Sequence, residues 1–287
     1  RDSFGIRFAS DRFKIGPLLG KGGQARVYLA KETRTQRRVA LKILRPRRRS
    51  GRSVERFGRE ANLLRRSAGP GVVRLLAAGS WQRAPLLVLE YVRGSNLRAL
   101  LEQQERLCWR KKARLLKKAF EVVARVHARG VIHRDLKPEN FLVDSEGEVT
   151  LIDFGLARRR LDPLQITRAG FVVGTPSFTS PERFAGMPAS PCSDVFALGV
   201  TTYEVLTGRR LFRGKTHDAL IKDVIFGEPP RIEGLPQPLW DVLARALSKS
   251  AGERYASARD LSDAWSRARL VSVAPRRRRS RVASYVH

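Results

Sequence analysis

Two cysteines, no long apolar run, no internal repeat and fewer than half as many acidic as basic residues mark this 287-residue chain, and each shortage excludes something. Cys108 and Cys192 lack the number and spacing of a disulfide framework or a thiolate metal site, so they are expected to be buried as small apolar side chains. No stretch approaches the ~18 to 20 apolar residues needed to span a bilayer. The N-terminal RDSFGIRFAS also lacks the apolar core of a secretory signal. The covered chain therefore reads as cytoplasmic. It begins with Arg1 rather than Met, which fits a piece of a longer polypeptide that carries targeting or membrane segments elsewhere.

The shortage of acid leaves 57 Lys and Arg against 27 Asp and Glu, a formal charge of +30. Such a surface attracts polyanions at low salt. The contact points for nucleic acid or an anionic membrane would be Arg47-Arg48-Arg49 and Arg276-Arg277-Arg278-Arg279. The rest of the excess is spread along the chain, as on a solvated basic surface that has no dedicated partner. Hydrophobic residues make up 42% of the chain, enough for one substantial core or two modest lobes.

What is present is ordered in two textures. Short β-type runs with turns fill residues 13–45, interrupted by a helical stripe of Val54, Phe57, Ala61 and Leu64. Val72 to Ala77 and Leu86 to Tyr91 then complete an expected five-stranded antiparallel sheet carrying one helix. Beyond Gly94, amphipathic segments dominate: Asn96 to Gln104, Arg110 to Arg129, Asp194 to Leu206, Thr216 to Phe226, Leu239 to Ala246 and Ala258 to Leu270. The expected fold is α+β and bilobal, with a small β-rich lobe at about 12–90, a hinge at 90–94 and a mostly helical lobe at about 95–270. An extension at 1–11 and a basic, disordered tail at 271–287 flank it. A cleft is expected between the lobes.

The chemistry lies in His133-Arg134-Asp135-Leu136-Lys137-Pro138-Glu139-Asn140 and Asp153-Phe154-Gly155. Together they supply what phosphoryl transfer requires: a carboxylate to orient a hydroxyl, hard oxygen ligands for a metal, and positive charge near phosphates. Upstream, Leu19-Gly20-Lys21-Gly22-Gly23 places glycines where backbone N–H groups can meet phosphate oxygens. Val39-Ala40-Leu41-Lys42 sets an ammonium in an apolar strand, where it needs a carboxylate partner. Of Glu55 and Glu60, helical geometry favours Glu60, which flanks the stripe of Phe57, Ala61 and Leu64.

The ordered set of Gly-rich loop, VALK, HRDLKPEN, DFG, SPE and Asp-Val-Phe-Ala-Leu-Gly resembles the eukaryotic-type Ser/Thr protein kinases over about residues 12–270. The wording GxGGxAxVY, REA and GTPxxxSPE is similar to the bacterial branch. Ala25 stands where the third loop glycine is usual. The resemblance implies a kinase that transfers the ATP γ-phosphate to Ser or Thr of protein substrates, itself included. Asp135 would orient the hydroxyl, Lys137 would stabilise the transferred group, and Asn140 and Asp153 would hold Mg2+, with Mn2+ able to substitute and no other metal implied.

The resemblance further implies that adenine lies at Glu90 and Val92, with Leu89 as gatekeeper and Val27, Ala40 and Leu142 around the ring. Leu64, Leu75, His133 and Phe154 match a regulatory stack. Thr167 is a candidate phosphorylation site that Arg134 would read, against the alternative of a loop held by other contacts. Thr175 suits Ser/Thr acceptors, Glu182 and Arg254 match a buried ion pair under the substrate segment, and Asp194 would hold the catalytic loop. A catalytically dead scaffold of the same fold usually lacks the lysine or one of the two aspartates, and none is missing here. Nothing in the sequence addresses the oligomeric state.

Overall fold

The computed structural model describes residues 7–9, 11–22, 25–44, 51–82, 84–103, 108–154 and 176–273. Its first lobe is a sheet of β1 (Arg7–Phe8), β2 (Phe13–Lys21), β3 (Ala25–Glu32), β4 (Arg38–Leu44), β5 (Leu75–Trp81) and β6 (Ala84–Glu90), with α1 (Gly51–Arg66) against it. The strand order is β1-β5-β6-β4-β3-β2. Five of these strands are antiparallel, as expected, and β1 adds a sixth, pairing parallel with β5 through Arg7↔Ser80 and Phe8↔Trp81.

The sixth strand has a physical reason. Ala84–Leu89 is buried throughout, so both faces of the sheet must be covered. Ala40, Leu44, Leu87 and Leu89 join the main core with Phe57, Ala61 and Leu64 of α1. Val39, Leu41, Leu86 and Val88 form a second cluster with Phe8, Phe13 and Trp81. The N-terminal segment is pinned over that second cluster by Trp81 Nε1, which donates to Ala9 O at 3.1 Å, and by Arg12, which bonds Glu32 at 2.7 Å and lies over the Phe8 and Phe13 rings.

Strand β5 starts three residues later than its apolar run suggests. Val72 N–H donates to Gly69 O at 3.1 Å, whereas Gly71 O accepts from Leu151 N–H at 2.8 Å and Val73 N–H donates to Leu151 O at 2.9 Å, so the backbone on either side of Val72 is satisfied against the second lobe. Gly79 and Ser80, poor strand formers, are carried into the ladder by pairing with Leu86 and Pro85.

The second lobe holds β7 (Ser95–Asn96), α2 (Leu97–Gln103), α3 (Trp109–His127), β8 (Phe141–Val143), β9 (Val149–Leu151), α4 (Pro181–Phe184), α5 (Pro191–Thr207), α6 (His217–Phe226), α7 (Gln237–Ala246) and α8 (Ala258–Val273). Helix α5 is its axis. A Ser190/Ser193 capping box and Pro191 start it, Gly208 in the left-handed region (φ 70°) ends it, and its side chains are buried nearly all round. On α8, Trp265 stacks edge-on with Phe120 and donates to Ala113 O at 3.0 Å, locking α8 to α3. The bilobal α+β architecture is the expected one. No helix among the described residues is long and apolar enough to cross a membrane.

The cysteines differ from expectation. Cys108 is exposed and Cys192 half-buried, both as free thiols. Cys108 precedes the first turn of α3, off its buried stripe, where the Lys111 N–H holds the thiol below its usual range.

Candidate active site

The strands β3, β4 and β6 bring Val27, Lys42 and Leu87 side by side, and Leu29, Ala40 and Leu89 one step further along. Period-two alternation therefore puts Ala40 and Lys42 on the face that meets α1. There the Lys42 ammonium contacts the Glu60 carboxylate and donates to Asp153 Oδ1 at 2.7 Å. Glu55, the alternative carboxylate, pairs with Arg59 on the exposed side of α1. Burial opposes the Lys42 charge, and the two carboxylates outweigh it, holding the ammonium above its ordinary value. Two carboxylates share this one cation. Burial, with the Asp153 charge adjacent, pushes Glu60 up to about 8, whereas Lys42 keeps Asp153 below the usual range.

Gly20 pairs with Val27 where the β2–β3 ladder loses its regular register, and Gly22 N–H donates to Ala25 O at 3.0 Å. A Cβ added at Gly20 would meet no atom within 4 Å, so the protein's own packing does not demand glycine there. Free space beside the backbone is what a bulky anion needs. Leu19 is exposed on the same strand, and Gly23 lies outside the described residues.

The catalytic-loop candidates form a second cluster. Lys137 Nζ donates to Asp135 Oδ2 at 2.9 Å, and Asn140 Nδ2 donates to Asp135 O at 2.7 Å. Phe141 faces Leu151 across the β8–β9 hairpin, and Ile152 N–H donates to Asn140 O at 3.0 Å. This pairing sets Asn140 and Asp153 at the same end of one hairpin, and Lys42 joins that end to the first lobe. Asn140 has its amide nitrogen committed to Asp135, which leaves Oδ1 as an oxygen donor. With the Asp153 carboxylate it makes a hard-oxygen pair that fits Mg2+ or another divalent cation.

Asp194 holds the loop in place. Its carboxylate, buried at the start of α5, accepts from His133 N at 2.7 Å, Arg134 N at 2.9 Å and His127 Nε2 at 3.0 Å. Ala258 N–H donates to His127 Nδ1, which fits the tautomer with the proton on Nε2. Arg134 is one of three described non-glycine residues with positive φ, at 72°, a conformation retained because Asp194 captures its own N–H and that of His133. Burial alone would raise Asp194, but His127 and the Arg134 N–H hold it below its ordinary value. Its stabilisation is therefore complete above the ~3.9 of an unfolded Asp and is lost as pH falls through the lower folded value. Asp194→Asn should lower stability by about 3 kcal/mol at neutral pH and flatten its decline in acid, read from urea midpoints across pH.

The remaining candidates are distributed as follows. Glu90 ends β6 opposite Val39, its N–H donating to Arg74 O at 2.9 Å, and Val92 follows in the connection between lobes. Leu89 is buried beside Ala40, while Leu142 alternates with the buried Phe141 and Val143 on β8. The His133 and Phe154 rings meet at a tilt of 39° with centroids 4.8 Å apart, and Leu75 packs against the core that holds Phe154 and Leu64. Arg254, fully buried, makes a bidentate pair with Glu182 at 2.8 and 2.9 Å. Thr167, Thr175 and both arginine runs lie outside the described residues.

Two positioning groups escaped the sequence reading. His127 sits at the end of α3, and Arg98 contacts both the Glu204 and the Glu139 carboxylate, the latter at 3.0 Å. A lone carboxylate, Glu204, inside the otherwise uncharged Val195–Val205 run was the available signal for the second.

The chain matches the Protein kinase domain family over residues 13–266. It is 33% identical to "Probable serine/threonine-protein kinase PknB" of Bifidobacterium longum, over 87% of this chain and 38% of that protein. To serine/threonine-protein kinase PknA of Mycobacterium tuberculosis it is 33% identical, over 93% of this chain and 63% of the relative. To PknL of the same organism it is 32% identical, over 90% and 66%. The chain thus spans roughly two fifths to two thirds of the length of these relatives.

Proposed function

The chain belongs to the protein kinase family, and on that premise we propose that it transfers the γ-phosphate of ATP to Ser or Thr hydroxyls of proteins, including its own, in bacterial signalling. The observation that carries the reading is the convergence of Lys42, Glu60 and Asp153 across the two lobes, next to the hairpin end that holds Asn140 and the Asp135–Lys137 pair. Asp135 accepts the hydroxyl proton's hydrogen bond and aligns the oxygen for in-line attack, while Lys137 offsets charge on the transferred group. Lys42, oriented by Glu60, binds the phosphates from the opposite side. The backbone at Gly20, with free space beside it, would cover them, while the Gly22 N–H closes the turn on Ala25 O.

Asn140 and Asp153 would hold a divalent cation, which when bound neutralises phosphate charge; Mg2+ suits these oxygens, and Mn2+ can replace it. Leu19, Val27, Ala40, Leu89 and Leu142 supply apolar contact for adenine, with backbone groups of Glu90 and Val92 reading its edge. Thr175 favours Ser/Thr over Tyr. Phosphate on Thr167 would meet Arg134, whose Nε is buried without a hydrogen-bond partner among the described residues. Peptide mass mapping of fully active protein should find Thr167 phosphorylated, and its absence would remove this switch. The basic surface adds weak, salt-sensitive attraction to polyanions.

Incubation with labelled ATP and Mg2+ tests the assignment. Wild type should label itself and a Ser peptide, and Lys42→Met should be slower by about 10²–10³-fold, the loss that follows removal of one charge-stabilising donor. Equal labelling by both proteins would remove Lys42 from the reaction.

A further inference from the structure

A groove of about 780 Å3 lies on the second lobe between α2, α3, the chain following the hinge and the β8–β9 turn. One wall is a single face of α3. Lys111, Arg114, Leu115 and Lys118 fall at i, i+3, i+4 and i+7, away from the buried Leu116, Phe120 and Val123. Leu100 and Val143 add apolar surface, and Arg93 stands at the hinge end. Val143 follows Leu142 on β8, so the groove and the adenine candidate occupy opposite faces of one strand.

The charges here are unbalanced. Lys118 is committed to Gly147 O at 2.7 Å and Glu148 at 2.6 Å. Asp144, a carboxylate of the groove lining, is committed to the N–H groups of Glu146 and Glu148 at 3.0 and 2.8 Å, and Glu146 is exposed on the turn. Arg93, Lys111 and Arg114 are exposed, and their side chains make no hydrogen bond or ion pair among the described residues. Three uncommitted cations around a part-apolar concavity call for an acidic ligand that carries apolar side chains. The arginine-rich segments of this chain at 47–49, 158–160 and 276–279 have the wrong sign to fill it. Nucleic acid is a poor match as well, because among the described residues no aromatic side chain lines the groove for bases to stack on.

We propose that this groove docks an extended acidic segment of a protein substrate, with carboxylates on Arg93, Lys111 and Arg114 and an apolar side chain over Leu100 and Leu115. The bound segment tethers the substrate while its Ser or Thr is presented at Asp135. The word substrate rests on the kinase reading, but the docking itself does not. Because the groove is separated from the nucleotide site by β8, docking leaves ATP binding unchanged.

The test uses a fluorescein-labelled peptide of Asp and Glu interspersed with Leu, titrated by anisotropy without ATP at about 0.15 M salt. Lys111→Glu/Arg114→Glu is compared with Arg259→Glu/Arg267→Glu, exposed positions on α8 that change net charge equally. The groove variant should bind about tenfold more weakly or worse, and the α8 variant like wild type. Replacing the peptide's Leu by Ser should also weaken binding. Equal weakening in the two variants, or indifference to Leu, would reduce the effect to net charge and overturn the proposal. Appended to a Ser acceptor peptide, the acidic segment should lower KM for wild type and not for the groove variant, with KM for ATP unchanged. An unchanged KM in wild type would refute tethering. Groove-dependent binding with no phosphorylation of any peptide would support docking and sink the catalytic reading instead.

Discussion

Asp135→Asn is expected to reduce kcat by about 10²–10⁴-fold, the contribution of a positioned general base, while ATP binds with unchanged affinity. The substitution keeps the volume and the Asn140 contact to the Asp135 backbone at 2.7 Å, so the loop has no reason to move. It removes the carboxylate that Lys137 holds at 2.9 Å, and with it the acceptor proposed to orient the hydroxyl. Steady-state transfer to a Ser peptide, set beside calorimetric ATP binding, separates the two effects. A kcat within a few-fold of wild type would mean that another group orients the nucleophile. Loss of ATP affinity in parallel would place Asp135 in binding rather than chemistry.

The largest stability loss is expected at Arg254. Its guanidinium is fully buried and bonds both oxygens of Glu182, together with the carbonyls of Ser248 at 2.7 Å, Lys249 at 2.9 Å and Cys192 at 3.2 Å, and it lies over the Phe196 ring. One side chain thereby joins α4, α5 and the turn before α8. Burial works to raise Glu182, and Arg254 with Ser180 holds it below the usual carboxylate range. Arg254→Met leaves that carboxylate and three carbonyls without their partner. The expected cost is about 3–5 kcal/mol, read from urea unfolding. Glu182→Gln/Arg254→Met should recover part of it, because the stranded charge is then gone. A loss below about 1 kcal/mol would show that water reaches this pair and screens it.

Much of this was legible in the chain. Alternation and helical spacing located the strands and helices of both lobes, since those periods are what a buried face imposes on local structure. The choice of Glu60 over Glu55 followed from one helical stripe, and the Lys42 contact agrees with it. Val72 and Val73 were misplaced because an apolar pair does not reveal which backbone will satisfy it; Gly69 O takes the Val72 N–H and Leu151 O of the other lobe takes that of Val73. The role of residues 7–9 was hidden for a similar reason. That β6 needs cover on both faces emerges only once β4 and β5 flank it. The exposed Cys108 shows the converse error, an apolar-looking residue placed off the stripe by its position before a helix.

By itself the sequence determined the two-lobed plan and the kinds of group proposed to meet phosphate, hydroxyl and metal, because those demands are written in residue type and spacing. Tertiary structure alone decided how they converge: Lys42 and Asp153, 111 positions apart, reach 2.7 Å. It also decided that Asp194 fixes the Arg134 backbone and that three cations on α3 and the hinge have no hydrogen-bond or ion-pair partner among the described residues. Distances between remote residues follow from packing of whole elements, and no local pattern encodes them.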